Sequence, residues 1–249
     1  MSDSFRLFIF GGRHSVDMKD DTLDDLHSFD VDLGQWTEHK RSSEEEAWPE
    51  KRSYHSMVSH DDQLFVFGGC GDVGRYNNLW QFDCSNKKWK KLAAADDEQL
   101  PGRGGCGLAF INNRIWVFGG FCGRELGDVA SFDLAKETWQ YFSTAKISPR
   151  SVFAFGNIDD WLVGHGGEQN PSELGHAAAG EFADDLVLVK TSTNEENQSM
   201  ETKRIEFEEV VGGKRGWHAG TTIGQTFYVF GGNQSENERD NSLIAVDFQ

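Results

Sequence analysis

The sequence predicts an all-β propeller, and three repeating observations predict it. An apolar strand runs five times into a double glycine: LFIFGG (7–12), LFVFGG (64–69), IWVFGG (115–120), WLVGHGG (161–167) and FYVFGG (227–232). A second strand with a recurring core follows each pair: LHSFD (26–30), LWQFD (79–83), VASFD (129–133), LVLV (186–189) and LIAVDF (243–248). Ahead of the last four pairs an arginine opens a further strand: RSYHSMV (52–58), RGGCGLAF (103–110), RSVFAF (150–155) and RGWHAGT (215–221). Alternating apolar and polar residues bounded by Gly, Asn and Asp are the mark of strands. Units of this size cannot bury their own apolar faces, so they must pack radially against one another.

In full, a unit reads Arg–strand a, strand b–Gly-Gly, strand c, strand d. Strand d is marked by a tryptophan six residues after the strand-c aspartate: Asp30 and Trp36, Asp83 and Trp89, Asp133 and Trp139. These indoles are expected to pack between blades. The first unit opens on a strand b and the last stops on a strand c. The expected count is therefore three strands, three blades of four, then three strands. The first glycines fall at 11, 68, 119, 166 and 231. A period of roughly 50 residues with a glycine-paired strand is the kelch-type signature. The prediction is one kelch-type β-propeller domain over 1–249, derived from a six-bladed ring. It has five recognisable blades, at about 5–40, 52–92, 103–143, 150–209 and 215–249, the first and last incomplete.

Charge narrows the partners. With 24 Lys and Arg against 41 Asp and Glu, the formal charge is −17, which argues against nucleic acid and anionic membranes. The four cysteines (70, 84, 106, 122) form no CxxC pair, as expected of thiols in a reducing compartment. The apolar run at the start is too short for a signal peptide, and no stretch reaches transmembrane length. A cytoplasmic protein, with the nucleus as a second compartment, is expected.

Two features carry candidate chemistry. Strands a and b are antiparallel neighbours, so the start of a and the end of b share one end of the blade. Arg52, Arg103, Arg150 and Arg215 therefore ring one channel mouth. Guanidinium groups suit sulfate, phosphate or carboxylate; the competing role is a repeated structural contact. The loop GGEQNPSELGHAAAGEFADD (166–185) gathers Glu168, Ser172, Glu173 and His176. Carboxylates with one imidazole and no thiol suit Fe(II), Mn(II) or Zn(II); the competing reading is a solvated loop.

The order RSYHSM…LFVFGG, GRGGCG…IWVFGG, PRSVFAF, the GGE-x-x-P…GH loop, KRGW and NERDNSL resembles the plant specifier proteins: the nitrile-specifier, epithiospecifier and thiocyanate-forming proteins. The resemblance spans essentially the whole chain, from that family's second blade onward. It implies a six-bladed kelch propeller that binds Fe(II) and diverts unstable glucosinolate aglucones to nitriles, epithionitriles or thiocyanates. It implies an iron motif Glu-x3-Asp-x3-His. Glu168 and His176 match its outer positions, Ser172 stands where Asp is expected, and Glu173 follows. The family's substrate-side Arg and Trp fall on Arg52 and Trp217.

Two functions follow as expectations. In the first, Fe(II) held by Glu168, His176 and Glu173 or Ser172 converts an anionic sulfur compound to a nitrile, with Arg52, Arg103, Arg150, Arg215 and Trp217 binding the substrate. In the second, the propeller is a non-catalytic interaction module whose arginine ring recognises an acidic peptide.

Overall fold

The computed structural model describes residues 5–15, 21–142, 147–170, 180–191, 200–206, 212–234 and 238–248. Every regular element among them is a strand, and they make five radial sheets. Blade 1 holds β1 (Arg6–Arg13), β2 (Thr22–Asp30) and β3 (Gln35–His39). Blade 2 holds β4 (Ser56–His60), β5 (Gln63–Phe67), the small hairpin β6 (Cys70–Gly71) and β7 (Gly74–Arg75), then β8 (Leu79–Asp83) and β9 (Lys88–Lys91). Blade 3 holds β10 (Gly107–Ile111), β11 (Arg114–Phe121), β12 (Glu125–Asp133) and β13 (Thr138–Phe142). Blade 4 holds β14 (Ala154–Ile158), β15 (Trp161–His165), the hairpin β16 (Glu168–Asn170) and β17 (Glu181–Phe182), then β18 (Leu186–Lys190) and β19 (Thr202–Ile205). Blade 5 holds β20 (Ala219–Ile223), β21 (Thr226–Phe230) and β22 (Leu243–Asp247).

Each main sheet is antiparallel in sequence order, with three strands in blades 1 and 5 and four in the others. Among the described residues blade 1 shows no strand a and blade 5 no strand d, as the pattern predicts. No helix among the described residues is long and apolar enough to cross a membrane.

The core is a set of layers between blades, and period-two alternation along strand b creates it. In blade 2, Leu64 and Val66 pack towards blade 1 with Phe10, Phe82 and Trp89. Their neighbours Phe65 and Phe67 pack towards blade 3 with Ile115, Val117 and Phe132. Blade 3 repeats the trick: Trp116 and Phe118 face Phe153, Leu162 and Val187 of blade 4. Val163 and Leu188 of blade 4 then meet Phe227 and Val229 of blade 5. Each such buried side chain is worth roughly 1.5–3 kcal/mol.

The double glycines clamp one blade to the next. All five pairs are left-handed, with φ between 58° and 70° at the first glycine and between 94° and 107° at the second. The second N–H donates to the strand-a arginine carbonyl of the following blade: Gly12 to Arg52 at 2.9 Å, and Gly69 to Arg103, Gly120 to Arg150 and Gly167 to Arg215 at 2.8 Å. A Cβ on Gly68 would lie 2.7 Å from the Arg103 carbonyl oxygen. Only glycine meets both the conformation and the approach.

The tryptophan expectation holds for two of three. Trp89 rests on Phe10 of blade 1, ring centroids 5.2 Å apart, and is buried. Trp139 rests on Phe67 of blade 2 at 5.7 Å, and its Nε1–H donates to the Ala93 carbonyl at 2.9 Å. Trp36 is 56% exposed, which corrects the expectation. Trp89 and Trp139 each lean on the preceding blade, and among the described residues no blade packs on the Trp36 side of blade 1. Leu7 and Ile9 are exposed on blade 1, and Ile223, Phe230 and Leu243 on blade 5.

Candidate functional site

The channel mouth is built where strand a begins. Two residues after each arginine the backbone turns left-handed, at Tyr54, Gly105, Val152 and Trp217 (φ 56°, 60°, 48° and 61°). These four link around the channel. Gly105 N–H donates to the Tyr54 carbonyl and Val152 N–H to Gly105, both at 2.9 Å, and Trp217 N–H donates to Val152 at 2.7 Å. The Tyr54 and Trp217 rings meet edge-on, 5.8 Å apart. Blades 2 and 5 thus touch across the mouth.

One residue position carries most of the variation. The residue after each strand-a arginine is bridged to the residue after a double glycine: Ser53 to Cys70, Gly104 to Phe121, Ser151 to Glu168 and Gly216 to Asn233. The same frame therefore presents a thiol, a ring, a carboxylate and an amide. In blade 1 the corresponding residue is Arg13. Its Nε donates to Ser53 Oγ at 2.8 Å, and its guanidinium lies 5.7 Å from the Tyr54 ring centre. Exposed Arg75 lies over Phe121 at 4.9 Å. Burial pushes the Cys70 thiol up, and Arg75 and Arg13 both act against that shift. Two cations therefore flank Cys70.

Blades 3 and 4 add two carboxylates. Glu125 and Glu168 are both buried. Burial, and secondarily the Glu168 charge, push Glu125 up to about 7. Burial raises Glu168 as well, against an N–H from Gly180 that reaches its Oε1 at 2.9 Å. Ser151 Oγ lies 3.5 Å from Glu125 Oε1. Cations from blades 1 and 2 and carboxylates from blades 3 and 4 therefore gather around the residues that follow the double glycines, with Arg75 over Phe121, which pairs with Glu125.

The four arginines expected to line the mouth are turned inward. Arg52, Arg103 and Arg150 are fully buried and Arg215 is 1% exposed. Each Nη1 donates to the first-glycine carbonyl of its own blade: Gly68, Gly119, Gly166 and Gly231, at 2.8–3.0 Å. Each guanidinium also meets an acid: Glu50, Asp128, Asp185 and Asp240 in turn. A buried cation must be paired, so a repeated position performs a repeated structural task. The anion-binding role expected for these residues has no open guanidinium face to rest on. Arg13 and Arg75 occupy the mouth instead.

Trp217 lies at the mouth, half-buried, and Glu168 beside Glu125. Ser172, Glu173 and His176 lie outside the described residues. Among the described residues no group of three or more His, Cys, Asp or Glu side chains is gathered closely enough to hold a metal. Glu168 and Glu125 offer carboxylate oxygens, the donor type that a hard divalent cation takes. Two buried carboxylates sit together there, and no cationic side chain contributes to the pKa shift of either.

Sequence reasoning missed Arg13, Tyr54, Arg75 and Glu125. Arg13 had a readable signal, the slot after the double glycine that Glu168 also occupies. Glu125 is hidden because the recurring core of strand c in blade 3 starts at Val129, whereas β12 begins four residues earlier.

Comparison with known proteins agrees with the architecture. The chain is 26% identical, over 96% of its length and 73% of the relative's, to N-(sulfonatooxy)prop-2-enimidothioate sulfolyase of Thlaspi arvense. It is 24% identical over 90% of its length to Leucine-zipper-like transcriptional regulator 1 of Mus musculus. It is 25% identical over 96% to Acyl-CoA-binding domain-containing protein 5 of Arabidopsis thaliana. The chain spans 32% and 36% of those last two proteins. The model of the KLHDC2/KLHL20/DRC7 Kelch-repeats domain matches residues 1–167. With that match over most of the chain, and with five glycine-paired blades in the structure, the protein belongs to the kelch-repeat family.

Proposed function

We propose that the mouth is a specifier-like site for a small anionic sulfur compound. The observation that carries this reading is the mixed charge after the double glycines. Arg13 lies by Tyr54, whose ring meets Trp217, and Arg75 lies over Phe121, which pairs with the buried Glu125. A sulfated substrate needs a cationic end, and a metal needs an anionic one. The sulfolyase relative, named for a sulfonatooxy imidothioate substrate, supports the same substrate class.

In this reading Glu168, with Glu125 beside it and Ser172, Glu173 and His176 as the expected further ligands, would hold Fe(II). Bound there, the ion would supply Lewis acidity at the substrate sulfur. The chain's own residues do the rest. Arg13 and Arg75 orient the sulfate and stabilise it as negative charge builds on the departing group. Tyr54 and Trp217 wall the carbon skeleton and exclude water. Glu125, held near neutrality by burial, protects the ligand face from a second full charge until a cation arrives.

Incubation of the purified chain with Fe(II) and N-(sulfonatooxy)prop-2-enimidothioate tests the proposal. The expected result is nitrile or thiocyanate above the protein-free level, lost in Glu168→Gln and reduced in Arg13→Ala. A product profile identical to buffer, in a protein that binds no Fe(II) anaerobically, would overturn it. The alternative of an acidic peptide on an arginine ring no longer rests on Arg52, Arg103, Arg150 and Arg215.

A further inference from the structure

Four acidic residues are buried among the described residues: Glu125, Asp133, Glu168 and Asp185. Two of them are paired with arginine. Asp133 meets Arg114 at 2.7 Å, and Asp185 meets Arg150 at 2.8 Å and Arg204 at 2.5 Å. Glu125 and Glu168 have no ion pair among the described residues, and they are neighbours, close enough for the charge of one to act on the other. Buried charges are paired with an opposite charge or coordinate a metal. The two acids that do without the first arrangement point to the second.

Local structure brings this pair together across the seam of blades 3 and 4. A short turn joins β11 to β12, and Glu125 opens β12 opposite Phe121. The next residue is fastened to blade 4, because the Leu126 carbonyl accepts the Arg150 N–H at 2.9 Å. Glu125 is thereby set against Ser151, whose Oγ lies 3.5 Å from its Oε1. The backbone of the same Ser151 exchanges two hydrogen bonds of 2.9 Å with Glu168, the residue after the double glycine of blade 4. One serine thus registers both carboxylates.

Glu168 is held from its other side as well. The Gly180 N–H donates to its Oε1 at 2.9 Å, and a Cβ at position 180 would collide with that oxygen. Backbone groups, not a cationic side chain, fix where this carboxylate sits. Two like charges in one buried place repel, and a divalent cation at the same place reverses the sign of that interaction.

We propose that Glu125 is a metal ligand, so that the cation of the site bridges blades 3 and 4 instead of resting on blade 4 alone. The proposal rests on the metal reading given above and extends it. The pattern Glu-x3-Asp-x3-His takes all its ligands from one loop, and Ser172 occupies its central position here. Glu125 supplies a carboxylate from the neighbouring blade, outside that pattern. Hard divalent cations accept one or two carboxylates with water in the remaining positions. Binding of the ion then also fastens the seam, since what binds only the folded arrangement stabilises it.

The test uses the full chain and Fe(II) in anaerobic equilibrium dialysis. Saturable binding is expected, with slowed amide exchange in both β12 and β16. Glu125→Gln, with a metal-free melt no lower than the parent's, is expected to weaken binding at least about tenfold, the lower end of what changes outside the ligand shell already cost. Ser172→Ala is expected to bind as the parent does. Equal affinity of the parent and Glu125→Gln overturns the proposal and leaves the metal reading standing, as does slowed exchange in β16 without β12. A parent chain that binds no Fe(II) overturns both. If Glu125→Gln does not fold, the exchange measurement on the parent chain decides alone.

Discussion

The Arg150 guanidinium reaches both carboxylate oxygens of Asp185, at 2.8 and 3.2 Å, and neither side chain is exposed. Removing one partner strands a buried charge, which costs about 3–5 kcal/mol. Arg150→Ala is therefore expected to lower the denaturation midpoint sharply. The paired change Arg150→Met with Asp185→Leu should recover most of the loss, although Asp185 also holds Arg204. If the single change is silent in urea titrations, the staple is not what holds strand a to its blade.

Gly68 and Gly231 share a left-handed backbone, but among the described residues only Gly68 packs against the carbonyl of a following blade. A Cβ on Gly68 meets the Arg103 carbonyl oxygen at 2.7 Å, whereas on Gly231 the nearest atom is the Asp240 oxygen at 3.2 Å. Gly68→Ala is expected to cost roughly 1–3 kcal/mol from backbone strain plus loss of the clamp, and Gly231→Ala visibly less. Equal shifts in thermal midpoint would show that conformation alone sets the requirement.

Trp89 and Trp36 occupy the same repeat position with opposite burial. Trp89→Ala should cost roughly 3–5 kcal/mol, the range for a buried indole. Trp36→Ala should cost under about 1 kcal/mol, because the ring leaves little buried area behind. A large loss at Trp36, measured by chemical denaturation, would mean that something covers the open face of blade 1 in solution.

Three histidines make the fold acid-sensitive. Burial, helped by Arg52, drops His55 to about 4. Burial, helped by Arg215, drops His165 to about 4. Burial, helped by the neighbouring His165, drops His218 to about 3. Folded pKa values below the unfolded value of 6.5 mean that the unfolded chain binds more protons. Stability is then full above pH 6.5 and lost as pH falls towards 4. His165 stands where the other strands b carry phenylalanine (Phe10, Phe67, Phe118, Phe230). His165→Phe should flatten the fall of melting temperature between pH 7 and 5; an unchanged slope would place the acid sensitivity elsewhere.

Ser172 is a poor ligand at neutral pH, since a hydroxyl does not ionise there. Ser172→Asp is expected to raise Fe(II) affinity by roughly tenfold or more, the scale seen when the shell around a bound metal is altered, in anaerobic titration. No gain, with no binding by the parent chain, would remove the metal from the proposed site.

The sequence announced the blades because their requirement is local. A left-handed glycine pair and a period-two strand show in a dozen residues, whatever surrounds them. The fate of the arginines was not legible. Their partners are not at one spacing: Asp128 and Asp240 both stand 25 residues after their arginine, but Asp185 stands 35 after and Glu50 two before, so no single spacing marks the pair. Trp36 read like Trp89 because a sequence shows what a side chain could cover, not whether a neighbour is there. Arg13 and Glu125 become site residues only when the blades curl and bring positions over 100 residues apart to one mouth.

The clamps from Gly12, Gly69, Gly120 and Gly167 all join nearest neighbours, so among the described residues blades 2, 3 and 4 are clamped on both sides and blades 1 and 5 on one. A blade clamped on both sides can be lost only by breaking two clamps; blade 1 is lost by breaking one, and blade 5 by breaking one clamp and the Tyr54–Trp217 contact. Order should therefore melt inward from blades 1 and 5, as in linear repeat arrays. The molecule then behaves less like a two-state domain than like a short zipper, most persistent at blade 3. Anything that covers the end faces would change its cooperativity as well as its stability.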